Sequence, residues 1–218
     1  MKKTFRSLLL IVIITTLTIS CKEKAKEAET SEIEEVAESK VEAVTYIADI
    51  EASLIEWTGF KPGGSHNGTI NLSTGTVSIS DNSIESGSFE ADMTSITVLD
   101  IPADKKGNAD LVGHLKNNDF FDVENHSNAT FEVTGISEAE GKTMLSGNLT
   151  IKGISQNITF PVSLTTAGDK MTLTSEAFTI DRTKWDIKYK SKSIFGDLGD
   201  KFINDDIELK VNITGNKA

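Results

Sequence analysis

Between Met144 and Leu164 the chain alternates between apolar and polar side chains with a period of two. Leu145, Gly147, Leu149 and Ile151 fall on one face, and Ser146, Asn148, Thr150 and Lys152 on the other. After a polar reversal spanning Gly153 and Ser155–Asn157, the second strand places Ile158, Phe160, Val162 and Leu164 together. This is the grammar of a sheet with one apolar face and one wet face. It recurs at Ser53–Gly59, Thr69–Ser73, Thr76–Ser80, Gly87–Thr97, Ala129–Val133 and Ile207–Ile213. From Met171 to Ile180 the phase slips, and one bulge near Ser175 restores it. Lys61–Gly68, rich in Gly and Pro, reads as a loop, Thr74-Gly75 as a break, and Asp181–Trp185 as a polar corner.

Only Asp100–Asn128 departs from the strand rhythm. Leu111, Val112 and Leu115 have helical spacing, with Asp110 as the expected N-cap of a helix to about Asn117. Asp119-Phe120-Phe121-Asp122 then reads as a lid or plug inserted into the core. About eight short strands and one short helix predict an all-β, antiparallel barrel or sandwich, and barrel closure removes exposed sheet edges.

The ends of the chain add a setting. Lys2, Lys3 and Arg6 precede an apolar run from Leu8 to Ile19, too short to span a bilayer comfortably. Leu17-Thr18-Ile19-Ser20-Cys21 resembles a bacterial lipobox, with Thr18 where leucine is usual. Residues 1–20 are therefore expected to be a lipoprotein signal peptide and Cys21 the lipid anchor, each buried acyl methylene contributing about 0.8 kcal/mol. Residues 21–44 carry eight glutamates and four lysines but no Gly, Pro or aromatic residue. They read as a flexible acidic tether. Residues 45–218 form the domain. The expected location is the bacterial cell envelope, at the periplasmic face or outer-membrane surface.

The net charge of −11 argues against nucleic acid as a partner, since phosphate binding relies on clustered cations. A single cysteine excludes an intramolecular disulfide and a cysteine-based zinc cluster. His66, His114 and His126 have no metal-ligand spacing, and no Gly-x-Ser-x-Gly nucleophile elbow occurs. No metal, cofactor or catalytic residue is expected.

The domain's motifs in order are Ile55-Glu56-Trp57-Thr58-Gly59, Gly64–Gly68, Asp92–Ile96, Leu111–Lys116 with Asp119-Phe120-Phe121, Ala129-Thr130-Phe131, Gly147–Gly153 and Ile180-Asp181-Arg182. As an ordered set they resemble the YceI-like family in its Bacteroidetes lipoprotein form, over residues 45 to 213. Asn128 stands where that family often has proline, which bears only on the local loop. The resemblance implies an extended, eight-stranded, lipocalin-like antiparallel β-barrel holding a polyisoprenoid lipid, such as an isoprenoid quinone or a prenyl phosphate. It implies a binding protein without enzymatic activity and leaves a homodimer open.

On the residues alone, a barrel filled by its own side chains is the default, and an envelope-stress or structural lipoprotein is the alternative function. With the resemblance, the inward set becomes a channel lining: Trp57, Phe89, Met93, Leu115, Phe120, Phe131, Val133, Leu149, Ile151, Phe160, Val162, Phe178, Ile180, Leu209 and Val211. His66, His114 and Arg182 are candidates for the ligand's headgroup, Arg182 through bidentate pairing with phosphate or carboxylate. For Arg182 the competing expectation is an internal salt bridge with Asp181 or a loop acid.

Overall fold

A computed structural model describes residues 25–40 and 42–218. The expected signal peptide and the expected anchor, Cys21, lie outside the described residues. The strands are β1 (Lys26–Glu27), β2 (Glu29–Ser31), β3 (Val44–Ala48), β4 (Leu54–Lys61), β5 (Gly64–Ser80) and β6 (Ser83–Asp92). After helix α1 (Lys106–Lys116) come β7 (Asn128–Ala139), β8 (Lys142–Ile151), β9 (Ile154–Ala167), β10 (Lys170–Ser175), β11 (Phe178–Asp181) and β12 (Asp206–Lys217).

The expected barrel is present. β5 through β10 pair antiparallel in sequence order, and β12 lies beside both β10 and β11. β12 then pairs with β3 and β4, which both return to β5 and close the ring. Counting β3 with β4 and β10 with β11 as broken single strands gives eight staves. Alternation puts one apolar face inside, so the core and the enclosed space are the same region.

Several boundaries differ from the sequence expectation, each for a local reason. Lys61–Gly68 is not an extended loop. Pro62-Gly63 alone makes the turn, with Gly63 at φ +80°, and Lys61 pairs with Gly64. Proline followed by a positive-φ glycine is the chemistry of a type II turn. β5 then runs unbroken through Thr74-Gly75, accommodating the extra residue as a bulge between Leu72 and Thr74. The β8–β9 reversal is also shorter, with Lys152 and Gly153 at φ 52° and 74° and Ser155–Asn157 already in β9. β6 stops at Asp92, before the expected Thr97, and a 3₁₀ turn follows.

Helix α1 begins four residues before the expected Asp110 cap. The start is tied down from within, because Asn108 Nδ2 donates to the carbonyls of Val98 (2.9 Å) and Ile101 (2.7 Å). Asp110 instead accepts from Lys106 one turn earlier. Near Ser175 the phase slip is a break between β10 and β11, where Ser175 Oγ accepts from Val211 N at 2.8 Å.

The largest correction concerns the expected tether. Residues 26–31 lie on the barrel as β1 and β2, pairing with β11 and β9, and Ala28 is buried in the core. The chain then crosses the outer face of β8 and β7. Glu34 N donates to Asn148 Oδ1 (3.0 Å), Asn148 Nδ2 donates to Glu34 O (2.7 Å), and Ala37 N donates to Val133 O (2.9 Å). Composition gave no hint of this, because the segment is held through its backbone rather than by apolar side chains.

Candidate functional site

Inward-facing glycines make room inside the barrel. A Cβ on Gly147 would lie 2.3 Å from Phe131 Cζ, and one on Gly75 would lie 2.6 Å from Phe89 Cδ1. Both phenyl rings therefore rest on bare strand backbone, a close approach that only glycine permits. With the rings held against the wall, the interior contains two cavities of ≈ 140 Å³ and ≈ 100 Å³. They share six walls: Ile55, Leu72, Phe89, Phe131, Leu149 and Leu209. A dry apolar void of about 150 Å³ accepts a molecule the size of benzene. Each cavity is of that order, and the shared side chains are the partitions between them.

Two corners of similar construction bound the larger cavity. At Asp92-Met93-Thr94 and Asp181-Arg182-Thr183 a strand ends in a 3₁₀ turn. In each, the aspartate Oδ1 accepts from the threonine N–H (2.8 and 2.9 Å) and hydroxyl (2.5 and 2.7 Å). This local capping turns the middle residue, Met93 or Arg182, onto the cavity wall.

Arg182 is 1 % exposed. Nε donates to Asn204 O (3.1 Å), Nη1 to Ile187 O (2.6 Å), and Nη2 to Ile203 O (3.1 Å) and Asp205 Oδ1 (3.4 Å). Burial pushes the guanidinium below its ordinary pKa, while the charges of Asp205 and Asp181 work the other way. Asp205 is thus the loop acid of the competing expectation. The headgroup assignment is corrected accordingly: the guanidinium fork is already engaged by three carbonyls and an acid, and it clamps residues 187–205 over the barrel end. At the far end of the polar corner Trp185 is also inaccessible, its Nε1 donating to Leu149 O at 3.0 Å.

The histidine candidates stand elsewhere. His66 lies on the surface, with Nδ1 2.8 Å from Asp100 Oδ2 and Nε2 2.9 Å from Lys61 Nζ. Lysine can only donate, so Nδ1 carries the proton toward Asp100. Although desolvation opposes it, the Asn67 N–H and His66 hold the Asp100 carboxyl below its ordinary pKa. This cluster fastens a loop and does not reach either cavity. His114 is one layer behind the wall. Its ring meets Phe120 edge-on at 5.0 Å and Tyr189 at 4.6 Å, and Phe120 lines the larger cavity.

The other inward residues fall as follows. Trp57, Met93, Leu115, Phe120, Ile151 and Ile180 line the larger cavity, and Phe160, Val162, Phe178 and Val211 the smaller. Phe89, Phe131, Leu149 and Leu209 line both. Val133 faces neither cavity and is packed solid at 1 % exposure. Sequence reasoning missed Ile55 and Leu72 on the shared wall, though Ile55 shares a face with Trp57 two residues on. Ile203 and Asn204 come from an unpatterned loop and carry no such signal. Trp57 Nε1 is buried without a hydrogen-bond partner. It turns toward β5, where a Cβ on Gly68 would come within 2.8 Å of it and 1.8 Å of Thr97 O.

The cavity walls are carbon almost throughout, and among the described residues Arg182 is the sole titratable one on them. Such a space offers dispersion and desolvation to a guest, with few directional contacts.

The profile of the YceI-like domain matches residues 46–215. No curated protein sequence matches the chain. Among solved structures, BcnA of Burkholderia cenocepacia superposes with a TM-score of 0.61 at 21% identity, over 77% of this chain and 98% of that one. A polyisoprenoid binding domain from Saccharophagus degradans, implicated in plant cell wall breakdown, superposes with a TM-score of 0.56 at 13% identity, over 80% and 99%. At these identities the two structures establish the shared fold. The matched profile covers nearly all of the barrel, from within β3 to within β12, and the chain belongs to the YceI-like family.

Proposed function

We propose that this protein is a membrane-anchored, non-catalytic carrier that holds the hydrocarbon chain of an isoprenoid lipid inside its barrel. The observation that carries this reading is the pair of carbon-walled cavities kept open by glycine. A prenyl chain has no hydrogen-bonding groups and gains about 25 cal/mol for each Å² removed from water. A chain longer than either void has to displace the Phe89 and Phe131 partitions, and both rings have free volume beside them to move into. Family membership and the polyisoprenoid binding domain among the similar structures support the same ligand class.

The anchor in this reading is Cys21, on the bacterial envelope. Ala25, the first described residue, lies four residues on, a reach of roughly 14 Å at full extension. The barrel then stands against the bilayer that supplies its ligand.

The test is organic extraction of the protein purified from its native membrane, followed by lipid mass spectrometry. An isoprenoid quinone or prenyl lipid recovered in near-stoichiometric amount is expected; an extract without any isoprenoid overturns the reading. In the same preparation Cys21→Ser moves the protein to the soluble fraction, and unchanged membrane retention removes the anchor from the proposal.

A further inference from the structure

The barrel wall has a seam between β9 and β11. β9 pairs with β10 from Val162 to Ala167, but after Ser175 the chain swings away before β11 begins. Asn157–Thr159 of β9 and Phe178–Thr179 of β11 are bridged by residues 26–31. β1 runs parallel to β11, with Lys26 opposite Phe178 and Glu27 opposite Thr179, and Ala28 N donates to Thr179 O at 2.8 Å. β2 runs antiparallel to β9, with Glu29 opposite Thr159, Thr30 opposite Ile158 and Ser31 opposite Asn157. One step back along that register, Ala28 falls opposite Phe160, and it is 5 % exposed.

Behind this short strand lies the smaller cavity. Ile158 and Phe160 from β9, and Phe178 from β11, are on its wall. The Phe160 and Phe178 rings stack across the seam, with centroids 4.2 Å apart and planes 13° from parallel. The seam thus has two layers: an inner pair of rings and an outer strand.

The outer layer is weakly held. Among Lys26–Ser31 only Ala28 is apolar. Five residues are in register with the barrel, against nine pairs along β7–β8. The segment's other fastenings are an exposed Lys26–Glu140 contact at 3.4 Å, the pair of Glu34–Asn148 hydrogen bonds, with Asn157 Nδ2 bracing Asn148 Oδ1 from behind at 3.0 Å, and further along the Ala37 N to Val133 O bond. Short, polar, backbone-held segments open at a small fraction of the global unfolding free energy.

We propose that the β9–β11 seam is the portal by which a slender apolar chain reaches the cavities, and that residues 26–31 are its shutter. The proposal rests on the carrier reading above. It adds the route: the guest passes sideways through the wall, between β9 and β11, after the shutter lifts and the Phe160–Phe178 stack parts. The shutter begins five residues after Cys21, so in the anchored protein the portal faces the vicinity of the bilayer.

The test uses the chain with Cys21→Ser, which removes its only thiol. Glu29→Cys with Thr159→Cys, register partners across the shutter, allows it to be locked by oxidation. Glu138→Cys with Thr143→Cys, register partners on β7–β8, is the control lock. The probe is a dansyl-labelled geranylgeranyl ether, and its transfer from protein to phosphatidylcholine vesicles is followed by fluorescence. Oxidation of the shutter pair is expected to slow transfer by about tenfold or more, reversibly with dithiothreitol, while the control lock leaves it unchanged. Equal rates in the locked and reduced shutter protein overturn the portal. A reduced protein that takes up no probe overturns the carrier reading, and the portal with it. Asn148→Ala, which frees Glu34, is expected to speed transfer, and it decides the matter alone should the paired-cysteine variant not fold; an unaltered rate then overturns the portal.

Discussion

The two sides of this barrel are built by different means. From β5 to β9 the wall is a run of antiparallel neighbours in sequence order, bulged in β5–β6 and β7–β8 and joined by tight turns at Asp81-Asn82, Glu140-Gly141 and Lys152-Gly153, with the helical insertion between β6 and β7. Its inner face is apolar, with Gly75 and Gly147 making room for phenyl rings, and its stability resides in ladder hydrogen bonds and burial. From β10 to β12 the stave is broken, a loop of some twenty residues covers the barrel end, and a foreign strand patches the gap. There polar side chains hold the structure: Arg182 on carbonyls and Ser175 on Val211 N. The first side needs only the local pattern to form. The second needs distant residues to find one another, and such regions are the natural place for motion.

Substitutions can break that contrast. Arg182→Leu should have the largest effect, because it strips three carbonyls and Asp205 of their partner at a buried site. We expect a loss of about 3–5 kcal/mol in urea or thermal unfolding, with the cover over residues 187–205 becoming protease-sensitive first. On the continuous side, Gly147→Ala should cost about 1–3 kcal/mol, since the new methyl collides with Phe131 and forces the ring toward the cavities. Its stronger signature is functional: the displaced ring occupies the shared wall, so probe uptake should fall well before stability does. Retained uptake would show that Phe131 does not partition the space. Asn148→Ala should cost the least, about 1 kcal/mol by denaturant melt. Its effect should be local, with backbone amides of residues 28–37 losing hydrogen-exchange protection while those of β7 and β8 keep theirs.

The same contrast explains what could be read from the residues alone. Period-two alternation fixed the inward face of β8, β9 and β12, and every member of the expected lining except Val133 stands on a cavity wall. Val133 points inward as well, but its neighbours leave no void beside it. The boundaries of β5 and α1 were obscured by glycine and by a half-buried Asn108, whose bonding partners lie outside the helix. The patch over the seam had no signature at all. Backbone pairing is indifferent to side-chain type, and a run such as Lys-Glu-Ala-Glu-Thr-Ser advertises only solubility. The fate of Arg182 was half legible: an internal partner was expected, but carbonyls from an irregular loop cannot be foreseen from charge.

The near-total carbon character of the cavity walls carries one more implication. A pocket with almost no donors or acceptors measures the calibre of its guest and is blind to whatever terminates it. Competition among lipids with the same tail should therefore follow their abundance in the membrane, so the cargo would report the host's lipid composition rather than a preference of the protein.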